Sequence, residues 1–342
     1  MRAALTPRPV AASMPAIMRP APRLAVALLG LALLAPPHAA EAQPAGKVYR
    51  IGWLTPTVLE GTSRVFRDAL HARGHVEGQT VAIELRSAEN DLGQLPRLAG
   101  ELVQSRVDVI VAVSAPAILA ARQATDTIPI VMSFWGTTGL IESGIVASFA
   151  RPGGNVTGVH MLAAELDAKR LELLLQAVPR ARKVGVLDPG PGAPLTEVRR
   201  VAEAVGAQVH ATPVGRGREG YLRAFESMGR AQVEALLVPS SPRFFNEGRQ
   251  IIELAAQRRI PAMYEWSSMA REGGLMAYGP TFAELLGRVA AFVDRILKGA
   301  RPADLPIEQP TKLELVINLT TARALGLTIP QSVLLRADEV IQ

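Results

Sequence analysis

Apolar and polar positions along the 342-residue chain fall into short runs that alternate between two periods. Residues 107–113 (VDVIVAV) form an almost continuous Val/Ile run, the pattern of a strand covered on both faces. Ser114, Ala115 and Pro116 follow. Pro116 suits the first turn of a helix with Ser114 at the cap, and Ile118, Leu119 and Ala121 supply apolar positions along it. Residues 128–132 (IPIVM) then begin another strand, which completes a strand, crossover helix and parallel strand. A similar unit spans residues 233–264. Val107-Asp108 corresponds to Val233-Glu234, and Ser114-Ala115-Pro116 to Ser240-Ser241-Pro242, both at an offset of 126, while Ile128-Pro129 corresponds to Ile260-Pro261 at 132. Residues 50–56 (RIGWLTP) likewise resemble 183–189 (KVGVLDP) at an offset of 133. Two similar α/β lobes are expected.

The same patterning predicts strands at 47–54, 80–85, 156–160, 184–187, 208–214, 235–238, 261–264, 274–278 and 313–317. Helices are expected at 61–72, 95–105, 141–149, 164–177, 195–205, 221–228, 243–258, 283–297 and 320–325. Residues 134–138 have the composition of a Gly/Thr-rich loop, 151–155 of a tight turn, and 299–310, with three prolines, of an extended linker. Asn318 is placed to cap the last of these helices and Gly326 to end it. Segments remain after the second lobe is complete, so the chain is expected to cross between lobes more than once, as in a hinge.

The amino end differs in kind. Arg19 and Arg23 precede an apolar run at 24–35, and Ala40-Glu41-Ala42 offers small residues for cleavage, so residues 1–42 have the pattern of a secretory signal peptide; the run is too short to span a bilayer. Its removal takes away four Arg and one Glu, reducing the formal net charge from +6 to +3. The pI near 10.0 therefore does not argue for nucleic acid, and no basic cluster with interleaved aromatics occurs. The chain has no cysteine, hence no disulfide, catalytic thiol or acylated anchor. A G-x-G-x-x-G pattern at 215–220 follows the wrong strand for a dinucleotide site and carries two Arg. His71 and His75 lack the partners of a metal site, and no nucleophile elbow or phosphate loop is present. No cofactor is expected.

Residues 150–158 (ARPGGNVTG), and the tail from Glu314-Leu315-Val316-Ile317-Asn318-Leu319 through residues 322–330 (ARALGLTIP), resemble a large group of ABC-transporter substrate-binding proteins. The similarity extends from about Tyr49 to Ile341. It implies a type I periplasmic-binding fold, with two doubly wound parallel-sheet lobes joined by a three-segment hinge. It further implies a soluble periplasmic protein without enzymatic activity that closes on a small molecule and hands it to an ABC permease in the inner membrane. Some relatives bind aromatic amino acids. Lobes of 47–160 plus 279–305, and of 161–278 plus 306–342, follow from placing the hinge, and a monomer is expected. One departure stands out: Gly139-Leu140-Ile141 replaces the Asp-Pro-Val common after the fourth strand, behind residues 134–137 (FWGT).

Ligands of such sheets bind beyond the carboxyl ends of the strands. In the first lobe these ends carry Thr55, Ser114, Ala115, Phe134 and Trp135; in the second, Asp188, Ser240, Ser241, Tyr264, Glu265 and Tyr278. Ser114 and Ser240, ahead of helices, suit a carboxylate. Aromatic residues suit a flat or apolar ligand, and Asp188 and Glu265 an amine. An exported enzyme using the same cleft, or a sensory module, are the alternatives to transport.

Overall fold

In the computed structural model, the described residues are 47–58, 61–136, 140–141, 143–188, 195–215 and 217–342; the expected signal segment lies outside them. They build two sheets. The first contains β1 (Tyr49–Thr55), β2 (Val81–Ser87), β3 (Val109–Val113), β4 (Ile130–Gly136) and β5 (Val156–Leu162), all parallel, in the order β2-β1-β3-β4-β5. Alternation on β3 divides the core: Val109, Val111 and Val113 face one hydrophobic cluster, and Ile110 and Ala112 face another. The first face is covered by α1 (Thr62–His71), the second by α2 (Leu95–Gln104) and α3 (Ala115–Ala124).

After β5 the chain passes to the second sheet. It enters α4 (Ala163–Ala177), β6 (Lys183–Asp188), α5 (Thr196–Ala204), β7 (Gln208–Pro213), α6 (Gly217–Arg230) and β8 (Ala235–Leu237). Next come α7 (Pro242–Asn246), α8 (Gly248–Gln257), β9 (Ala262–Tyr264), α9 (Ser267–Arg271) and β10 (Met276–Pro280). The chain returns to the first sheet as α10 (Phe282–Leu297), which packs on α1 and on β3, β4 and β5. Glu308 then pairs along β5, its N–H donating to Gly158 O (3.0 Å) and its carbonyl accepting from His160 N (2.9 Å). A third passage leads to β11 (Leu313–Asn318), α11 (Leu319–Leu325), α12 (Gln331–Leu334) and β12 (Glu339–Ile341). The second sheet has the order β12-β11-β10-β9-β8-β6-β7, with β10 and β11 antiparallel and the other pairs parallel.

The family-like motifs act as fasteners. Buried Asn155 donates from Nδ2 to Thr125 O (3.1 Å) and Ile128 O (2.8 Å), tying the start of β5 to the α3–β4 loop. Thr157 Oγ1 donates to Leu305 O (2.7 Å), across to the third passage. Asn318 accepts from Thr321 N (3.0 Å), capping α11 as expected, and also donates to Ala270 O (3.0 Å).

Four expectations are corrected. Residues 134–136 belong to β4, because the ladder with β5 continues through Phe134↔His160 to Gly136↔Leu162. The helix expected at 141–149 is absent among its described residues; Gly144 adopts φ 68°, and turns close from Ile145 and Val146 N–H to Leu140 O. The helix expected at 243–258 is two helices broken at Glu247 (φ −99°, ψ 13°), whose carboxylate is held by the Tyr221 hydroxyl and by Arg243 Nε at 3.2 Å. The stretch at 299–310 is also less extended than its prolines suggest, holding a single 3₁₀ turn at Pro302–Asp304.

Gly158 adopts φ 132°, and a Cβ there would lie 2.3 Å from Met132 O, inside the β4–β5 ladder. Gly158→Ala is therefore expected to destabilise the protein by about 2–4 kcal/mol, read as a fall in the urea midpoint without a change in m-value. An unchanged midpoint would contradict this packing.

Candidate ligand site

The carboxyl ends of β1 and β3 give the first sheet's side of the site. Thr55 is buried, and its hydroxyl donates to Thr57 O (2.6 Å), which fixes the turn after β1. Ser114, just past β3, adopts φ 74° and ψ 161°, a region costly for any side chain. It does not cap α3: its side chain makes no cap bond, and its Oγ is buried with no hydrogen-bond partner. Its N–H donates to Ser133 O (3.0 Å), which holds the strained turn in place. Ala115 opens α3 beside it. Phe134 and Trp135 lie near the end of β4; their side chains fall outside what is described.

A cavity of about 110 Å³ opens next to these ends, lined among others by Trp53, Thr55, Thr57, Phe66, Val113 and Phe282. Trp53 packs edge-on to Phe66, with centroids 4.8 Å apart. At its rim the two sheets' elements meet. Asn246 at the end of α7 donates from Nδ2 to Thr57 Oγ1 (3.2 Å) and Val58 O (3.0 Å). Trp266 stacks on Phe282 at 4.0 Å and 9°, and Phe245 meets Phe282 edge-on at 4.7 Å.

On the second sheet's side, the ends of β8, β9 and β10 converge on one guanidinium. Arg170 of α4 is fully buried. Its Nε donates to Tyr278 O (2.6 Å), and its Nη1 donates to Asp167 Oδ1 (2.5 Å) and Ser240 Oγ (2.7 Å). Asp167 also accepts from Ser240 N (3.2 Å). Glu265 Oε1 stands 3.7 Å from Arg170 Nη2, and neither atom makes a hydrogen bond. Gly279 seals the pair, since a Cβ there would lie 2.4 Å from Glu265 O and 3.2 Å from Nη2.

The structure thus brings Ser240, Glu265 and Tyr278 together, with half-buried Ser241 next in chain after Ser240. Asp188 sits at the end of β6, half-buried, its carbonyl accepting from Val214 N (3.3 Å). Tyr264 goes elsewhere. Its ring is core, close against Gly274, and it lines a second cavity of about 220 Å³ between α8 and α11; burial drives its phenol far above its usual value. Arg243 donates to Val214 O (3.0 Å) and to Gly215 O, so a side chain of the protein occupies the carbonyls at the start of the 215–220 pattern. Among the described residues no cluster of three or more His, Asp or Glu could hold a metal, and no helix is long and apolar enough to cross a membrane.

Asp167, Arg170, Thr57, Asn246 and Phe282 escaped the sequence reading. A signal for the first two existed: Asp167 and Arg170 fall on the buried stripe of α4 with Ala163, Leu171 and Leu174, where charges are costly unless paired.

Burial raises the carboxyls of Asp167 and Glu265, and Glu265 reaches about 7. Arg170 opposes the rise at both; Asp167 adds to it at Glu265, where Ser240 and Ser241 offset part. The folded protein therefore holds a proton on Glu265 that the unfolded chain releases near the ordinary glutamate value of 4.5. Stability is expected to fall as pH rises from about 4.5 to 7, by on the order of 2–3 kcal/mol from this group. Urea titrations of Glu265→Gln across this range should lack that loss; parallel profiles for the variant and the natural protein would contradict it.

Residues 57–341 match the family model described as ABC transporter substrate binding protein. A tyrosine-binding protein of Clostridioides difficile (strain R20291) is 26% identical over 273 residues, covering 79% of this chain and 77% of that protein. Among solved structures, an ABC domain from Streptococcus pneumoniae in complex with L-Trp is 25% identical with a TM-score of 0.75, over 86% of this chain and all of that one. A ligand-free, open substrate binding protein with adhesive properties from Clostridium difficile shares the fold, with 23% identity and a TM-score of 0.61 over the same shares. Two mostly parallel sheets linked by three passages, with buried polar groups gathered where their strands end, are the frame of a type I periplasmic binding protein. The chain belongs to the ABC transporter substrate-binding family, and its work is to bind a solute for an uptake transporter rather than to transform one.

Proposed function

We propose that the protein binds an aromatic, carboxylate-bearing small molecule of the amino-acid class in the periplasm, as a monomer, and presents it to the permease. The apolar run at 24–35 with small residues at 40–42 supports export with removal of residues 1–42. A mature net charge of +3 without a basic cluster gives nucleic acid no footing. The bodies that close are residues 47–160 with 279–305, and 161–278 with 306–342.

Ser114 carries the reading of the site. A non-glycine residue at φ 74° with a buried, unpartnered hydroxyl, directly before a ten-residue helix, is strain held at the place where helix N–H groups favour an anion. A ligand carboxylate would accept from Ser114 Oγ and from N–H groups at Ala115 and beyond. The ligand's apolar part has the Trp53–Phe66–Phe282 cavity beside it, whose 110 Å³ compares with the ~150 Å³ in which an engineered cavity holds benzene. Thr55, Phe134 and Trp135 complete the first lobe's side; Asp188, Ser240, Ser241, Glu265 and Tyr278 face it from the second, with Tyr264 supporting from the core. The names of the relatives agree with this class, one being a tyrosine-binding protein and one a complex with L-Trp.

The test is thermal unfolding of the chain from Gln43 onward with L-tyrosine, L-tryptophan, other amino acids and sugars. A ligand at 100 times its Kd adds about 2.7 kcal/mol, read as a rise in Tm. Ser114→Gly should stabilise the free protein by about 1 kcal/mol by relieving strain, yet weaken ligand binding about tenfold by losing the hydroxyl. Absence of any shift with aromatic amino acids would overturn the ligand class; unchanged affinity in Ser114→Gly would remove Ser114 from the site.

A further inference from the structure

The cavity of about 220 Å³ between α8 and α11 plays no part in the site described above. Ile252 and Ala255 of α8, Ile260 and Ala262 at the start of β9, and Leu325 of α11 give it apolar walls. Ile260, Gly273 and Gly274 precede their strands, so the cavity lies toward the amino ends of the second sheet, whereas Ser240 and Glu265 stand at carboxyl ends. Well-packed interiors leave few voids larger than a water molecule, and this one exceeds the ~150 Å³ in which an engineered cavity holds benzene. Glycine is required beside it. A Cβ on Gly274 would lie 2.6 Å from the Tyr264 ring, and Gly273 adopts φ 112°, where a side chain is strained.

Two polar groups border this apolar space, and each has bonding capacity to spare. Tyr264 is 1% exposed, and burial alone raises its phenol: among the described residues nothing hydrogen-bonds its hydroxyl, although a buried tyrosine ordinarily finds a partner. Arg259 is exposed at the mouth with Ala256 and Ala324. Its Nη2 donates to Ala324 O (3.2 Å), which sets the guanidinium between α8 and α11, and among the described residues it pairs with no carboxylate. We propose that this cavity is a second ligand site, independent of the cleft, for a small aromatic carboxylate: the ring fills the apolar space, the carboxylate meets Arg259, and a hydroxyl at the ring's far end meets Tyr264.

The lining selects against other classes. No Asp or Glu lines the cavity, so an amine finds no counter-charge and meets Arg259 instead. A sugar needs several hydrogen-bond partners, and besides Tyr264 and Arg259 the polar side chain on offer is Thr321, whose Oγ1 already donates to Gly273 O (2.9 Å). A wholly apolar guest fills the space but leaves the Tyr264 hydroxyl and the guanidinium unanswered. A ring with an anion at one end and a hydroxyl at the other uses all three features, and arginine binds a carboxylate through paired N–H donors.

Ligand-observed NMR titration of the chain from Gln43 onward tests this with three probes: 4-hydroxybenzoate, benzoate and 4-hydroxybenzamide. At low salt 4-hydroxybenzoate should bind about tenfold more tightly than 4-hydroxybenzamide, which lacks the charge, and about tenfold more tightly than benzoate, which lacks the hydroxyl. Arg259→Asn should erase the first preference; asparagine tolerates the φ of 54° at this exposed position, so the variant should fold. Tyr264→Phe, which keeps the ring, should erase the second preference and leave the first. Ala324→Phe, at the mouth, should block all three probes. Absence of binding, or of either preference in the natural protein, overturns the second site. So does binding that keeps both preferences in Arg259→Asn and survives in Ala324→Phe, because the probe then sits elsewhere on the molecule.

Discussion

One guanidinium holds together the parts that have to move as a unit. Arg170 stands on the first helix after the chain's first passage between sheets, and its Nε bonds the Tyr278 carbonyl two residues before the second passage begins. Through Nη1 it also fixes Asp167 and Ser240. A buried arginine is expensive to desolvate, so the cluster contributes little net stability relative to an apolar filling; what it gives is a single arrangement. Helix α4, the turn after β8 and strand β10, which lie apart in sequence, are thereby held at fixed spacing. Gly279 permits this, because any side chain there would meet both Arg170 and the Glu265 backbone.

The first lobe reaches a comparable result by different means. Its fixed points are backbone and small polar groups: the Ser114 turn braced by Ser133, the Thr55–Thr57 bond, Asn155 clasping the α3–β4 loop, and Thr157 reaching the third passage. No charge is buried at those points. The two sides of the cleft are thus chemically unlike, one offering strained polar backbone and an aromatic cavity, the other a charged cluster. The proposed ligand accordingly carries distinct ends, as an amino acid with a ring does. The Asn246 bonds to Thr57 and Val58, and the Trp266–Phe282 stack, join the sides at the rim.

Much of this architecture was legible in the sequence because α/β units write themselves in hydrophobic runs. The paired strand-helix-strand units at 107–132 and 233–264, and the leftover segments after the second sheet, both appear in the fold. Local composition misled where tertiary contacts decide. Gly136 looked like loop, yet ladder bonds to β5 hold it in a strand, and an uninterrupted apolar stripe at 243–258 hid the break that Tyr221 and Arg243 impose at Glu247. Positions at strand ends could be named from topology alone, which brought in Ser114, Ser240 and Glu265. Asp167 and Arg170 could not, since they approach the site sideways from a helix, and only the costliness of charge on its buried stripe signals them.

We propose that the three passages form a hinge on which the two lobes close around a small molecule. Small-angle X-ray scattering of the chain from Gln43, with and without saturating L-tyrosine or L-tryptophan, measures this directly. The radius of gyration should fall on ligand addition and the scattering curve should change shape, as it does when two bodies draw together about a hinge. Identical curves from a sample shown by calorimetry to be ligand-bound would contradict closure and leave a rigid cleft in its place.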